Sequence, residues 1–483
     1  MTAPVVVIGD GVNELVAANY LALARRDVTL VNRSAVPLDD TFEAGWIPPK
    51  IVSELDLERY DLKIQRTDPW AMVWPEDTEL ALSADIARTA AAIGKLSARD
   101  AERWPKFCAR MHALAGLLES VYSAPPPDPV GRSKGAASLA RVGMRVRSLG
   151  RAGMRDLFRV LPMSAADLLD EWFETDALKG VLGGAAVRHL AQGPRSGGTA
   201  FNLLHHHVGS SAGVFRPPLS NARAALARRT DVQAEDGSVG RIEVRGGRVA
   251  AVVMNDGREL AASAVVSGLS PRRTLTELVD PGLLDPELVR AIRNVRSRGV
   301  SARLALTLDR NPRFTNLVIA PSLDYLERAF DSMKYGRVSP EPYIEATAVG
   351  GSGNERYHVQ AHVQYVPRRR RDGAWDTHES EKLGRDIVAR LSDHVPGLAG
   401  WVINQTVLTP ADFEHIHGYP DGQPYHAELA LDQILWMRPV PELAHYRTPI
   451  EGLYLCGPAM HPGGGIAGLA GANAAKIVLR DLK

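Results

Sequence analysis

The chain has 483 residues, of which 45% are hydrophobic and 23% charged. This is the balance of a folded globular protein, long enough for two or three domains or one interleaved pair. Lys+Arg 57 against Asp+Glu 56 leaves a formal charge of +1, which removes the electrostatic case for nucleic acid as a ligand. Two cysteines, Cys108 and Cys456, exclude a disulfide scaffold, a cysteine zinc site and a Cys-x-x-Cys redox pair, in keeping with a cytoplasmic location.

Met1-Thr-Ala-Pro runs straight into a strand pattern, so no secretory leader is expected. Val5–Ile8 is a β-branched run of the kind buried in a parallel sheet, Gly9-Asp10-Gly11 turns the chain, and Val12 to Arg25 has helical apolar spacing. With Val28–Val31 as the next strand, this completes a right-handed β-α-β unit. From Pro75 to about Ala124 the spacing predicts helix, which the prolines at 125, 126, 127 and 129 end. Between Arg132 and Arg159 a basic helical stripe carries Arg141, Arg145, Arg147, Arg151 and Arg155 with Met144 and Phe158 interleaved. Its two readings are a solvated cap helix and a peripheral membrane contact. Arg241 to Val266 reads as three short strands with turns at Gly246-Gly247 and Asp256-Gly257. Ala302–Asp309 and His358–Val366 are expected in a second sheet, and Leu453–Cys456 is the last strand. The uncharged run Gly452–Ala475 contains too many glycines and prolines for a membrane span.

Gly9-Asp10-Gly11-Val12-Asn13-Glu14 lies between a strand and a helix, the context of a dinucleotide fingerprint, in which the helix N-terminus receives a diphosphate. The third glycine is Glu14, and Asn32 stands where an acid would bind ribose. Two carboxylates, Asp10 and Glu14, are expected to compete with a diphosphate for the helix N-terminus and to repel it. The stronger signal is Gly457-Pro458-Ala459-Met460-His461-Pro462-Gly463-Gly464-Gly465-Ile466, between a strand and a helix. Glycines there permit close approach of a planar ligand such as a flavin. His461 is the candidate for proton transfer. His205, His206 and His207 are consecutive and so point in different directions, which favours packing over metal binding. Gly209-Ser210-Ser211-Ala212-Gly213 matches Gly-x-Ser-x-Gly formally but lacks a preceding strand.

These segments, with Met163–Phe173, Gly193–Phe201, Asn202–His207, Ala264–Gly268, Leu431–Pro441 and Tyr446–Gly457, resemble the phytoene-dehydrogenase-like branch of the FAD-dependent amine-oxidase and carotenoid-desaturase superfamily. Within it the likeness is to the pyridine nucleotide-disulfide oxidoreductase domain-containing protein 2 type. The resemblance implies an α/β fold, with a Rossmann-like FAD-binding domain (1–74, 222–275 and 446–483) interleaved with an α+β substrate or cap domain (75–221 and 276–445). It implies FAD on Gly9, Gly11, Asn13 and Glu14, with Asn32 at the ribose and Val239 at the adenine. It places Gly457, His461, Pro462, Gly463, Gly464, Gly465 and Ile466 along the flavin and ribityl chain. Its chemistry is flavin-borne desaturation, dehydrogenation or isomerisation of an apolar small molecule that reaches the flavin through an apolar tunnel.

The departures cluster on the ADP half. Besides Glu14 and Asn32, the glycine pair expected after the second strand is replaced by Val36-Pro-Leu-Asp-Asp-Thr-Phe42, and a later glycine-rich stretch by Arg216-Pro-Pro-Leu-Ser-Asn221. Two functions follow. One is an FAD-dependent oxidoreductase with a rewired site. The other is a member that has lost FAD and acts as a non-catalytic binding or assembly partner in a homo- or hetero-oligomer.

Overall fold

The computed structural model describes residues 3–32, 45–74, 78–126, 134–216, 218–350 and 356–483. Val5–Ile8 is wholly buried and lies at the centre of a five-stranded sheet. The spatial order is Leu453–Leu455, Ala264–Ser267, Val5–Ile8, Val28–Asn32 and Gln233–Asp236. All four pairings are parallel, which explains the uninterrupted apolar runs: each inner strand is covered on both faces. The chain leaves this sheet after Asn32 and returns at Gln233.

Helices Val12–Leu23 and Leu469–Asp481 pack against each other beside the sheet. Gly471 makes that contact possible, since a Cβ there would overlap the carbonyl of Asn13. An antiparallel meander of Val239–Arg245, Arg248–Met254 and Glu259–Ala261 forms a separate three-stranded sheet. Gly246 and Gly247 have φ +61 and +79, the pair of positive angles that a tight hairpin turn demands.

The second large sheet has seven strands in the order Val402–Leu408, Ser301–Leu308, Tyr357–Gln364, Tyr343–Val349, Asn316–Ile319, Ala71–Val73 and Leu80–Leu82. The last of these corrects the helical reading from Pro75. Leu80 and Leu82 alternate into the core as a strand does, and helix begins only at Ile86, where Asp85 accepts the N–H groups of Ala87 and Arg88. Ala71–Val73, although within 1–74, also belongs to this sheet.

The basic stripe forms two helices, Lys134–Ser148 and Gly150–Val160, broken where Gly150 takes φ +69. Asp156 is paired with Arg110 at 3.0 Å and Arg159 with Glu171. Arg132 and the Val36–Phe42 stretch lie outside the described residues. Among the described residues no helix is long and apolar enough to cross a membrane.

Candidate functional site

Gly9 takes φ +109 as the first strand turns, a conformation that glycine reaches without strain. Gly11 then begins the helix Val12–Leu23 in extended backbone, and no side chain caps it. The N-terminal end of this helix, where backbone N–H groups point outward, borders the cleft. Gly9 to Glu14 line one end of a long cleft that passes Gly268–Ser270 and Gly464–Ala467 and ends over the strand residues Ser301–Arg303. It encloses about 1800 Å³, counting its open mouth.

The Glu14 side chain is buried and folds into the space where Gly9, Gly11 and Gly268 converge. A Cβ on Gly11 or Gly268 would overlap its carboxyl group, so the substituted third glycine puts a carboxylate beneath the turn. Asp10 behaves differently. Arg223, in the first turn of helix Ala222–Arg229, ion-pairs with the Asp10 carboxylate and donates Nε to its carbonyl at 3.0 Å. The expected repulsion from two acids is thus reduced to one, with Arg223 and Asp10 forming a paired charge on the cleft wall. This partner comes from the element that follows the replaced glycine-rich stretch.

Asn32 ends its strand opposite Asp236. Val239 is buried and lines a small pocket with Ile8, Val31 and Leu269, and Leu269 also borders the cleft. Asn13 lines the cleft with its Oδ1 buried and without a hydrogen-bond partner. An acceptor, an uncapped helix start and a glycine-lined cleft fit a dinucleotide with free hydroxyls and a diphosphate.

The C-terminal loop divides in two. Gly464, Gly465 and Ile466 face the cleft. The Trp46 N–H donates to the Gly465 carbonyl at 3.0 Å, and the Ala467 N–H donates back to the Trp46 carbonyl at 2.8 Å. Gly457, His461, Pro462 and Gly463 lie outside the residues that line the cleft. Gly457 is needed because a Cβ would strike the Gly268 carbonyl where two strands end side by side. The rest of the loop bends round Arg438, which is fully buried. Its guanidinium donates to the carbonyls of Met460 at 3.3 Å, Glu428 at 2.9 Å, Gln433 at 3.1 Å, Ala427 at 3.2 Å and Pro458 at 3.0 Å. Burial lowers its pKa to about 10, still charged at neutral pH.

His461 sits behind this loop with its ring edge-on to Tyr122 at 5.5 Å. Burial pushes its imidazole down to about 3, and it is not placed to exchange protons with the cleft. His205 links the same elements: the Tyr122 hydroxyl lies 2.9 Å from Nδ1, and Nε2 lies 2.8 Å from the Gly464 carbonyl. A carbonyl only accepts, so Nε2 carries the hydrogen and Nδ1 accepts from tyrosine. His207 bonds the Val214 carbonyl and stacks on Phe215. No metal-type cluster occurs among the described residues. Ser210 follows the helix Thr199–His207 rather than a strand, so it is no nucleophile elbow.

Sequence reading missed the far end of the cleft. Arg188, His189, Ser301, Arg303, His362 and Tyr425 line it beside Phe413 and Ile416, so it is not uniformly apolar. The available signal was the alternation His358, Gln360, His362, Gln364 on one strand, which resembles an ordinary solvent face.

Residues 195–479 match the family of flavin-containing amine oxidoreductases, more than half of the chain. The chain belongs to that family. It is 30% identical to rat (Rattus norvegicus) pyridine nucleotide-disulfide oxidoreductase domain-containing protein 2, over 99% of this chain and 93% of that one. It is 24% identical to a limonene dehydrogenase subunit from Castellaniella defragrans, over 99% and 94%. Cyclohexylamine oxidase from Brevibacterium oxydans shares the fold, with a TM-score of 0.59 at 12% identity over 100% of both chains. As the family and the fit of the cleft indicate, the protein is an FAD-dependent oxidoreductase with a Rossmann-like FAD-binding fold, and a cofactor-free role is not favoured.

Proposed function

We propose that this oxidoreductase dehydrogenates, desaturates or isomerises a small molecule with a largely apolar body, seated in the far half of the cleft. The observation that carries this reading is that one cavity joins the fingerprint turn, the Gly464–Ile466 loop and the chamber beside Phe413 and Ile416. Relatives named phytoene desaturase and limonene dehydrogenase support the apolar body. Gly9, Gly11, Asn13 and the start of helix Val12–Leu23 would hold the FAD diphosphate, with Arg223 cancelling the charge of Asp10 beside it. Val239 and the end of the strand at Asn32 lie toward the adenosine, and Gly464–Ile466 toward the ring. Bound there, FAD supplies a two-electron acceptor for hydride. Phe413, Ile416 and Ile466 keep the substrate against the loop and exclude water. Anaerobic addition of cyclic terpenes, polyenes or fatty compounds to the flavin-loaded protein should bleach its visible bands with at least one class. Bleaching by short polar amines alone would contradict the apolar assignment.

Glu14 sets the affinity of this site. A carboxylate buried under the turn opposes a diphosphate by Coulomb repulsion worth about 1–3 kcal/mol at an effective dielectric near 20. Glu14→Gln keeps the volume and removes the charge, so FAD should bind about 10- to 100-fold more tightly by fluorescence titration. An unchanged or weaker affinity would make Glu14 a structural plug.

A second observation favours a membrane-surface contact. Met144 is 65% and Phe158 68% exposed, among the exposed Arg145, Arg147, Arg151 and Arg155. Apolar side chains standing among cations suit an anionic lipid surface. The protein should sediment with phosphatidylserine vesicles and be released by about 0.5 M salt. Absence of sedimentation would leave the stripe as a solvated face.

A further inference from the structure

The floor of the cleft is one face of the seven-stranded sheet, where Ser301 and Arg303 lie in register beside Gln364 and His362. Gln364 is fully buried and orders this floor. Its Nε2 donates to the carbonyls of Val187 at 2.7 Å and Leu190 at 3.1 Å. Carbonyls only accept, so the amide nitrogen stands on that side and Oε1 on the other. Oε1 accepts the backbone N–H of His189 at 3.1 Å and lies 3.2 Å from Nε2 of His362. An amide oxygen also only accepts, so Nε2 of His362 carries the ring hydrogen. Burial first, and then the charge of Arg188, keeps this imidazole neutral. Its Nδ1 is therefore a bare lone pair. His362 lines the cleft, and its Nδ1 has no hydrogen-bond partner among the described residues.

The neighbouring ring is held as firmly. His189 takes φ +55, a left-handed backbone that a histidine adopts at a cost and that surrounding structure must enforce. Gln364 fixes its N–H, and Gln423, also fully buried, donates Nε2 to its carbonyl at 2.8 Å. Its imidazole bonds Ser301 Oγ at 2.8 Å and stands edge-on to His362, with ring centroids 4.7 Å apart. Burial keeps it neutral as well. An unmet acceptor at the wall of a partly dry cavity costs free energy until a donor reaches it, and the direction of that bond selects the donor's chemistry. Carboxylates, ketones and ethers only accept, so they would meet Nδ1 lone pair to lone pair. An ammonium can donate, but no carboxylate lines this end of the cleft among the described residues, and Glu345 is already paired with Arg188. A neutral donor meets both conditions, and a hydroxyl is the smallest. We propose that the substrate carries a hydroxyl group that donates to Nδ1 of His362 at the sheet floor, while its apolar body lies along Phe413 and Ile416 toward the Gly464–Ile466 loop. This assignment rests on the reading of the far half of the cleft as the substrate chamber, and not on the flavin.

Calorimetry on the protein as purified, with octan-1-ol, octan-2-one, octanoate and octylamine, tests it. Octan-1-ol should bind more tightly than each of the others by about 10-fold or more. His362→Phe keeps a ring against His189 and removes the acceptor, so the preference for the alcohol over the ketone should disappear. The unsubstituted protein gives a second readout that holds even if that variant misfolds. With nitrogen-15-labelled histidine at neutral pH, one unprotonated Nδ1 signal should shift on addition of octan-1-ol, and none on addition of octan-2-one. Ketone, carboxylate or amine bound as tightly as the alcohol, or binding of none of the four, would overturn the proposal. So would a preference that survives His362→Phe at an unchanged melting temperature, or Nδ1 signals that the alcohol leaves in place. If the protein takes up no flavin, the oxidoreductase reading fails while these titrations still decide the hydroxyl site.

Discussion

Arg438→Met should destabilise the protein by at least about 4 kcal/mol and abolish retention of FAD. Five carbonyls lose their donor at once, and each buried acceptor left unsatisfied costs roughly 1–3 kcal/mol, less where water can enter. The carbonyls of Pro458 and Met460 belong to the loop that carries Gly464–Ile466 to the cleft, so the defect reaches the cofactor. Arg438→Lys should recover part of the stability, since a lysine supplies fewer donors without the planar fork. Chemical denaturation with flavin release as a second readout decides it. A methionine variant as stable as the parent would show that the loop does not depend on this side chain.

Acid should unfold this protein early. Burial is the main cause that lowers His205 and His207 to about 4 and His461 to about 3. Burial also drives His189, His206 and His362 well below the ordinary value. The folded pKa values lie below the unfolded value near 6.5, so below that pH the unfolded chain binds protons that the folded chain does not. Stability is then complete above about pH 6.5 and falls as pH drops toward the folded values. At pH 5 each such ring costs about 2 kcal/mol, and three alone approach the 5–15 kcal/mol that holds a typical domain together. The melting temperature should fall by roughly 10 °C between pH 7.5 and pH 5. A flat profile would mean that the rings take up protons in place.

The parts that rest on local chemistry were legible in the sequence. Val5–Ile8 followed by Gly9-Asp10-Gly11 carries its strand and turn in adjacent residues, and the glycines before the final helix mark a close approach. What distant segments decide was not legible. Asp10 is neutralised by Arg223, more than 200 residues away, and nothing near the fingerprint announces that partner. Arg438 stands in a run of prolines and apolar residues, and only the folded loop shows its five carbonyls. His461 adjoins three glycines in sequence, yet the loop turns it away because Arg438 fills the inside of the bend. The sheet floor was missed because polar alternation on a strand has the same pattern whether it faces solvent or a cleft. Leu80–Leu82 was too short for its period to stand out beside a long helical stretch.

A cleft with an altered fingerprint still binds FAD. The visible absorption spectrum of the purified protein, before and after incubation with excess FAD and desalting, tests it most directly. Flavin bands near one equivalent per chain, retained after desalting, are the predicted result. A protein that stays colourless after incubation with excess FAD would contradict it.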